Sequence, residues 1–450
     1  MNRFFVIIAF RIKNFLSFGE EQVISFDANN ALFSEKQAFS LENLDILRMI
    51  SVFGSNGSGK TNLILAMVYS LDLMGLYDFG YDRYIKPHEM MRLKGDVSHF
   101  ADSSVSKFEF TISGPEGIYR YGFEYDSLKE VVMSEFAFDL KRNDYLFKRE
   151  GTQCADIFGS EYTLKESHAS KLLSRICNEC NDYPNMDFAR MIRLMFAGVV
   201  IGTYDFFSDL KTVSENQVFM CDSSCIDVLN HILPRITDVD HVVLTNKRKV
   251  GNKSQDHFVI LENLVIFDHG LQHNVMFKEK GFTRSRSFFE LSAGTQRIII
   301  IVLMICSSRH IHEIMVKRQK IHLSKLGLDR LPYDPEKSDI FVAIDELCYS
   351  LHPRVMFNLI QLLYSEGMGF ENLQLLITAH DTNLMSSNVL NPDEIYLMES
   401  VNGESQLSRL SNYDIFNNGH TFDNKSVLKA AYLEGRFGGV PQIGNARRLL

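Results

Sequence analysis

No stretch of this sequence is apolar for long enough to cross a bilayer as a helix. The longest run beyond the N-terminal region, IIIIVLMIC at 298–306, falls well short of the ~20 residues a spanning helix needs. A secretory leader is also missing, because MNRFFVIIAFRIKNF meets charges after a short apolar run and has no small-residue cleavage site. The seven cysteines therefore read as reduced thiols of a cytoplasmic protein without membrane attachment. Positive charge is not in excess either. A net charge of −9 excludes whole-molecule attraction to nucleic acid. Two basic clusters, NKRK at 246–249 and KRQKIHLSK at 317–325, leave local nucleic-acid contact open, although such runs are usually solvated faces. There is no internal repeat, no low-complexity tract and no sustained heptad pattern, which excludes a solenoid and a long coiled coil. What remains is an ordinary globular composition, 45% hydrophobic and 23% charged, in a 450-residue chain long enough for two or three domains.

One short stretch carries chemistry on its own. VFGSNGSGKTNL at 52–63 contains G-x-x-x-x-G-K-[ST], with Gly54, Gly59, Lys60 and Thr61 at the required spacing. Such a loop needs glycine because backbone N–H groups must close around a phosphate where a Cβ would collide. Lys60 is expected to reach the β- and γ-phosphates, and the Thr61 hydroxyl to ligate Mg2+. Ser55, Asn56, Gly57, Ser58 and Asn62 complete the cradle. The alternative is an ordinary glycine turn, and context argues against it. ILRMISVF (46–53) predicts a buried strand before the loop, and Leu63, Met67, Ser70, Leu71 and Met74 recur at helical spacing after it. The phosphates would then lie at a helix N-terminus, which favours anions.

The fold class read from the chain is α/β. Residues 1 to about 150 are strand-rich, with FFVIIAF, VISF (23–26), KFEFTIS (107–113) and YRYGFEY (119–125). Helical patterns follow around 165–180, 186–200 and 222–234, then strands return over 239–280. From 288 onward helices alternate with two hydrophobic strands, DIFVAI (339–344) and LQLLIT (373–378), which suits a parallel sheet. The first of these ends in Asp345 and Glu346, at the strand end where α/β sheets bind ligands. Asp345 is expected to hold Mg2+ and Glu346 to activate the attacking water. A hydrophobic strand ending in two acids is weak by itself and gains force downstream of a phosphate loop. CNEC (Cys177, Cys180) and CDSSC (Cys221, Cys225) have ligand-like spacing, but they lie in helical text without knuckle glycines and read better as buried thiols than as a zinc site.

ELSAGTQR (290–297) resembles the signature sequence of the ATP-binding-cassette superfamily, with Ser292, Gly294 and Thr295 at the start of a helix as a second anion cradle. A plain helix cap is the alternative. In that superfamily the cradle faces the γ-phosphate held by a partner copy, which implies a homodimer or higher homo-oligomer joined head to tail through its ATP sites. LLITAHD (375–381) places His380 where the superfamily has its switch histidine, and CYSLHP (348–353) resembles its D-loop. The motif order resembles ABC-type ATPases related to chromosome-maintenance and recombination-repair ATPases, in the compact bacterial branch found in abortive-infection and anti-phage systems such as PARIS, Septu and the AbiL type. FRIKNFLSFGEEQVISF near the start and KAAYLEGRFGGVP (429–441) near the end also match that branch. The resemblance implies an ATPase head split into 1–150 and 286–450, with a mainly helical lobe, helices first and then strands, inserted at 151–285. It implies ATP and Mg2+ as cofactors, with Lys60, Ser292, Glu346 and His380 as the catalytic set. No transporter-type Q-loop glutamine is evident, and Phe15 and Phe18 are the nearby candidates for stacking on adenine. No nuclease pattern, topoisomerase-primase acid cluster or protease triad accompanies the motifs, so an effector (a nuclease or toxin) is expected in trans. The rival readings are a DNA-repair ATPase, a transporter cassette and an ATPase with nuclease chemistry inside 150–285.

Overall fold

The computed structural model describes residues 6–28, 37–41, 44–76, 104–114, 117–156, 161–179, 196, 199–202, 218–219, 224–249, 258–260, 265–268, 271–325, 340–365, 370–385, 389–413 and 425–437. The chain forms two units, one made of Met1–Phe196 with Leu376–Leu450 and the other of Ala197–Leu375.

The first unit holds the antiparallel β part that the aromatic-rich N-terminal text predicts. Its eight strands run in the order Glu161–Thr163, Gln153–Asp156, Asp144–Glu150, Val131–Asp139, Gly117–Asp126, Val105–Gly114, Ile7–Lys13 and Gln22–Ser25. Aromatic side chains fill one face: Phe10 lies 4.6 Å from Phe110, and Phe15 touches both Tyr69 and Phe108 at 5.2 and 5.3 Å. Tyr69 comes from the helix Lys60–Leu73, so this aromatic cluster seats the helix that follows the phosphate loop against the sheet. The strand before the loop, Met49–Gly54, is buried at every residue. It runs parallel to Ile395–Val401, with Gly54 opposite Met398, and that strand turns back antiparallel into Glu404–Arg409.

The second unit contains the parallel pair Val199–Gly202 and Ile340–Ile344. It also has a five-stranded antiparallel sheet, ordered Val218–Phe219, Phe258–Ile260, Val265–Asp268, Leu271–Glu279, Val239–Lys249. Ser224–Ile236 docks on this sheet, with the Val242 N–H donating to Asn230 Oδ1 at 2.6 Å. The long helix Ala293–Lys325 buries every residue from Ile298 to Ile305, which explains the IIIIVLMI run as core rather than membrane. No helix among the described residues is long and apolar enough to cross a membrane.

In the segment 151–285 the strands expected over 239–280 are present, and the earlier part carries short strands beside its helices. Among its described residues the helices are Leu173–Glu179 and Ser224–Ile236, while eight strands account for more of the chain. The helical pattern at 186–200 lies mostly outside the described residues, and its last part is the strand Val199–Gly202.

One buried ion pair ties the antiparallel sheet to the segment after it. Arg149 and Glu135 are both fully buried, 3.3 Å apart. Arg149 also donates to the carbonyls of Gly151 and Lys171 at 2.7 and 2.6 Å, and to those of Ala169 and His168 at 3.2 and 3.4 Å. Glu135 accepts the Leu173 N–H and the Tyr121 hydroxyl. Burial pushes the Glu135 carboxyl up, opposed by the Arg149 charge and by the Leu173 amide. The next residue, Ser174, donates to the carbonyl of Met74 at 3.0 Å, at the far end of the phosphate-loop helix. Replacing Arg149 with Met strands a buried carboxylate and several carbonyls, so urea denaturation is expected to show a loss of about 3–5 kcal/mol. A loss under ~1 kcal/mol, the range of an exposed pair, would contradict this role.

Candidate nucleotide-binding site

The loop between Gly54 and Lys60 has the shape its sequence requires. Gly59 takes a left-handed φ of 107° as the residue before the helix. A Cβ on Gly59 would collide with the Ser405 and Ser17 hydroxyls, and one on Gly54 would collide with the Met398 carbonyl. Lys60 is 5% exposed, and its ammonium donates to the carbonyls of Gly54 and Ser55 at 2.9 and 2.8 Å. The cation is thus folded back into the loop rather than out to solvent. Ser58 Oγ is buried and has no hydrogen-bond partner among the described residues. Thr61 is exposed at the first helical turn, while Ser55 and Asn62 are half-buried and Asn56 and Gly57 exposed. A glycine cradle with a buried cation and an unsatisfied hydroxyl fits a phosphate chain.

Two partners of the loop were not evident from the motif. Ser405 Oγ lies 2.6 Å from the Ser58 carbonyl and 2.6 Å from Ser17 Oγ. Asn62 Nδ2 donates to Ser17 Oγ at 2.6 Å, and the Ser405 N–H donates to the Ser17 carbonyl at 2.7 Å. Ser17 belongs to NFLSF, where Asn14 and Leu16 both have left-handed backbones (φ 52° and 51°). That turn is therefore built to reach the loop. Phe15 and Phe18 are fully buried core residues, so neither offers a face to adenine. His380 is exposed directly after the buried strand Leu373–Ala379, in the same unit as the loop.

The remaining motif residues stand on the second unit. Ser292 caps the helix Ala293–Lys325: its Oγ accepts the Thr295 N–H at 3.2 Å and bonds the Thr295 hydroxyl at 2.8 Å. The cap fixes the backbone of Gly294 at the helix start, and Ser292 remains exposed. Just upstream, Ser287 and Glu290 form a reciprocal capping box, and the Ser287 hydrogen bonds hold the Glu290 carboxyl below its usual range. Asp345 is buried at 1% exposure at the end of Ile340–Ile344, and Glu346 is half-buried with a left-handed φ of 49°. The signature helix and the carboxylate pair are joined by Arg297, which is buried and donates to the carbonyls of Asp345 and Glu346 at 3.0 and 3.1 Å. A Cβ on Gly294 would come within 3.0 Å of the Ser350 carbonyl, so signature and D-loop also touch. Arg297 was legible only as a charge directly before the apolar run at 298–306. In SLHP, His352 caps the helix Pro353–Tyr364 by accepting the Arg354 N–H.

Among the described residues no cluster of metal-ligating side chains occurs. Cys225 is a buried free thiol, and the side chains of Cys177, Cys180 and Cys221 lie outside what is described. The side chains of both basic clusters and residues 438–441 of the tail also lie outside it.

A family model described as "AAA domain, putative AbiEii toxin, Type IV TA system" matches residues 49–386. No curated protein matches the sequence. Among solved structures, the SMC head domain from Thermotoga maritima is similar at 13% identity, covering 91% of this chain and 99% of that chain with a TM-score of 0.39, a likeness too distant to assign a role. The family match begins at the strand leading into the phosphate loop and ends beyond His380, taking in most of the chain: the protein belongs to this AbiEii-type family of AAA-domain ATPases.

Proposed function

We propose that the protein is a Mg2+-dependent ATPase that closes as a head-to-tail dimer and uses ATP to switch conformation in a bacterial anti-phage system, controlling an effector carried by another protein. The phosphate loop is the observation that carries this. Its buried Lys60 ammonium, its Cβ-free approach at Gly54 and Gly59, and the buried Ser58 hydroxyl together suit a chain of phosphates better than any neutral ligand. The defence setting draws on the family description, which includes the words "putative AbiEii toxin, Type IV TA system". Adenine as the base is implied by the resemblance.

In this scheme Lys60 offsets the charge on the β- and γ-phosphates, and Thr61 and Asp345 would hold Mg2+, which adds charge neutralisation when bound. Glu346 accepts a proton from the attacking water, and its left-handed backbone, clamped by Arg297, fixes the direction of its carboxylate. His380 contacts the γ-phosphate. Ser292 and Gly294 of a second copy close the site from the other side, and the cap at Ser292 keeps that helix N-terminus pre-formed for an anion.

Lys60→Ala is expected to abolish ATP binding by isothermal titration, and an affinity within a factor of two of wild type would defeat the loop assignment. Glu346→Gln is expected to retain ATP binding while turnover falls by roughly 10²–10⁴-fold, because an amide cannot take the proton. If that variant hydrolyses ATP at the wild-type rate, Glu346 is not the base.

A further inference from the structure

The turn after His380 is tied to the helix Lys425–Leu433, part of a tail motif that the ATP scheme leaves without a role. Asp381 Oδ1 accepts two hydrogen bonds from Asn383, from its backbone N–H at 2.9 Å and from Nδ2 at 2.7 Å. The amide oxygen of Asn383 in turn accepts Lys429 Nζ at 2.6 Å. Asn383 is therefore held at both ends of its amide, and the holder at one end is a cation 46 residues further along the chain. The helix bearing Lys429 is itself anchored: Leu428, Ala431 and Tyr432 are buried. The turn beyond it is pinned where the Tyr413 hydroxyl donates to the Phe437 carbonyl at 2.7 Å, with the two rings 5.2 Å apart. His380 is the first exposed residue beyond a strand buried throughout, so its placement depends on the turn that follows it.

We propose that Lys429 is a positioning residue for ATP hydrolysis: through Asn383 and Asp381 it fixes the turn that presents His380, and the C-terminal helix thereby sets the geometry of the γ-phosphate contact. This rests on the assignment of His380 to the γ-phosphate given above. A charge-assisted bond from an anchored helix to a neutral amide suits the task, because it is directional and survives small movements of the exposed turn. The same link makes the helix sensitive to anything that displaces it, so a protein bound to the tail would alter turnover without touching nucleotide.

Steady-state ATP hydrolysis and ATP affinity of wild type, Lys429→Met, Lys429→Arg, Asn383→Leu and His380→Ala test this. Lys429→Met and Asn383→Leu are expected to lower kcat by about tenfold or more, as loss of orientation does, while KM and ATP affinity stay within twofold. Retained affinity also shows that the variants fold. Lys429→Arg keeps a long cationic donor and is expected to recover most of the lost kcat. If His380→Ala loses turnover and Lys429→Met keeps the wild-type kcat, the positioning role is overturned and the ATP site stands. A Lys429→Met variant with wild-type kcat but weakened ATP affinity or lowered melting temperature would likewise reduce the contact to a structural tether. If His380→Ala itself turns over normally, the assignment of His380 fails and the inference falls with it.

Discussion

A lysine ammonium buried at the base of a glycine loop is the constraint on which the rest of this structure depends. A buried cation is costly unless it is hydrogen-bonded and offered an anion. Lys60 meets the first condition through the Gly54 and Ser55 carbonyls. It can do so only because the loop turns tightly enough to bring those carbonyls around it, which requires the left-handed Gly59. Gly59 in turn can sit there only because Ser17 and Ser405 leave room for a hydrogen atom and nothing larger. The N-terminal turn and the hairpin ending at Glu404–Arg409 are thus fitted around one cation, and the aromatic cluster at Tyr69 and the Ser174–Met74 bond hold the helix behind it.

The second unit is organised around a different pair of groups. Arg297 enters the interior at the start of the signature helix and grips the backbone of Asp345 and Glu346. Any force on the helix N-terminus at Ser292 is therefore delivered to the carboxylate proposed as the base. The unusual backbone at Glu346 fits this arrangement. A left-handed non-glycine residue is held only where its surroundings determine it strongly, and such positions concentrate at functional sites.

Much of the fold was legible because its signals are local. The strand Met49–Gly54, the loop and the helix Lys60–Leu73 lie in one continuous stretch, where spacing and periodicity speak directly. The paired N-terminal strands announced themselves through alternation, as in Gly117–Asp126. The features that escaped notice depend on partners far apart in sequence. Ser405 and Ser17 are separated by 388 positions, and nothing in either segment names the other. Arg149 is fully buried because distant carbonyls and Glu135 surround it, and nothing in its own strand marks it as such. Within 151–285 the strands over 239–280 were legible from their apolar runs, as in Val265–Asp268.

Loop and signature stand on different units of the chain, and each is complete in its own local geometry. What joins them, in the proposed function, is a second copy, and that is the central claim. The most direct measurement is ATP hydrolysis by a mixture of Lys60→Ala and Ser292→Arg proteins, each inactive alone. One has an intact signature and the other an intact loop, so a head-to-tail dimer of the two contains one complete site. Sharing between copies leads to recovery of hydrolysis on mixing, well above the sum of the separate proteins. A mixture as inactive as its components, or Ser292→Arg protein that hydrolyses ATP normally at dilutions where it is monomeric, would contradict a shared site.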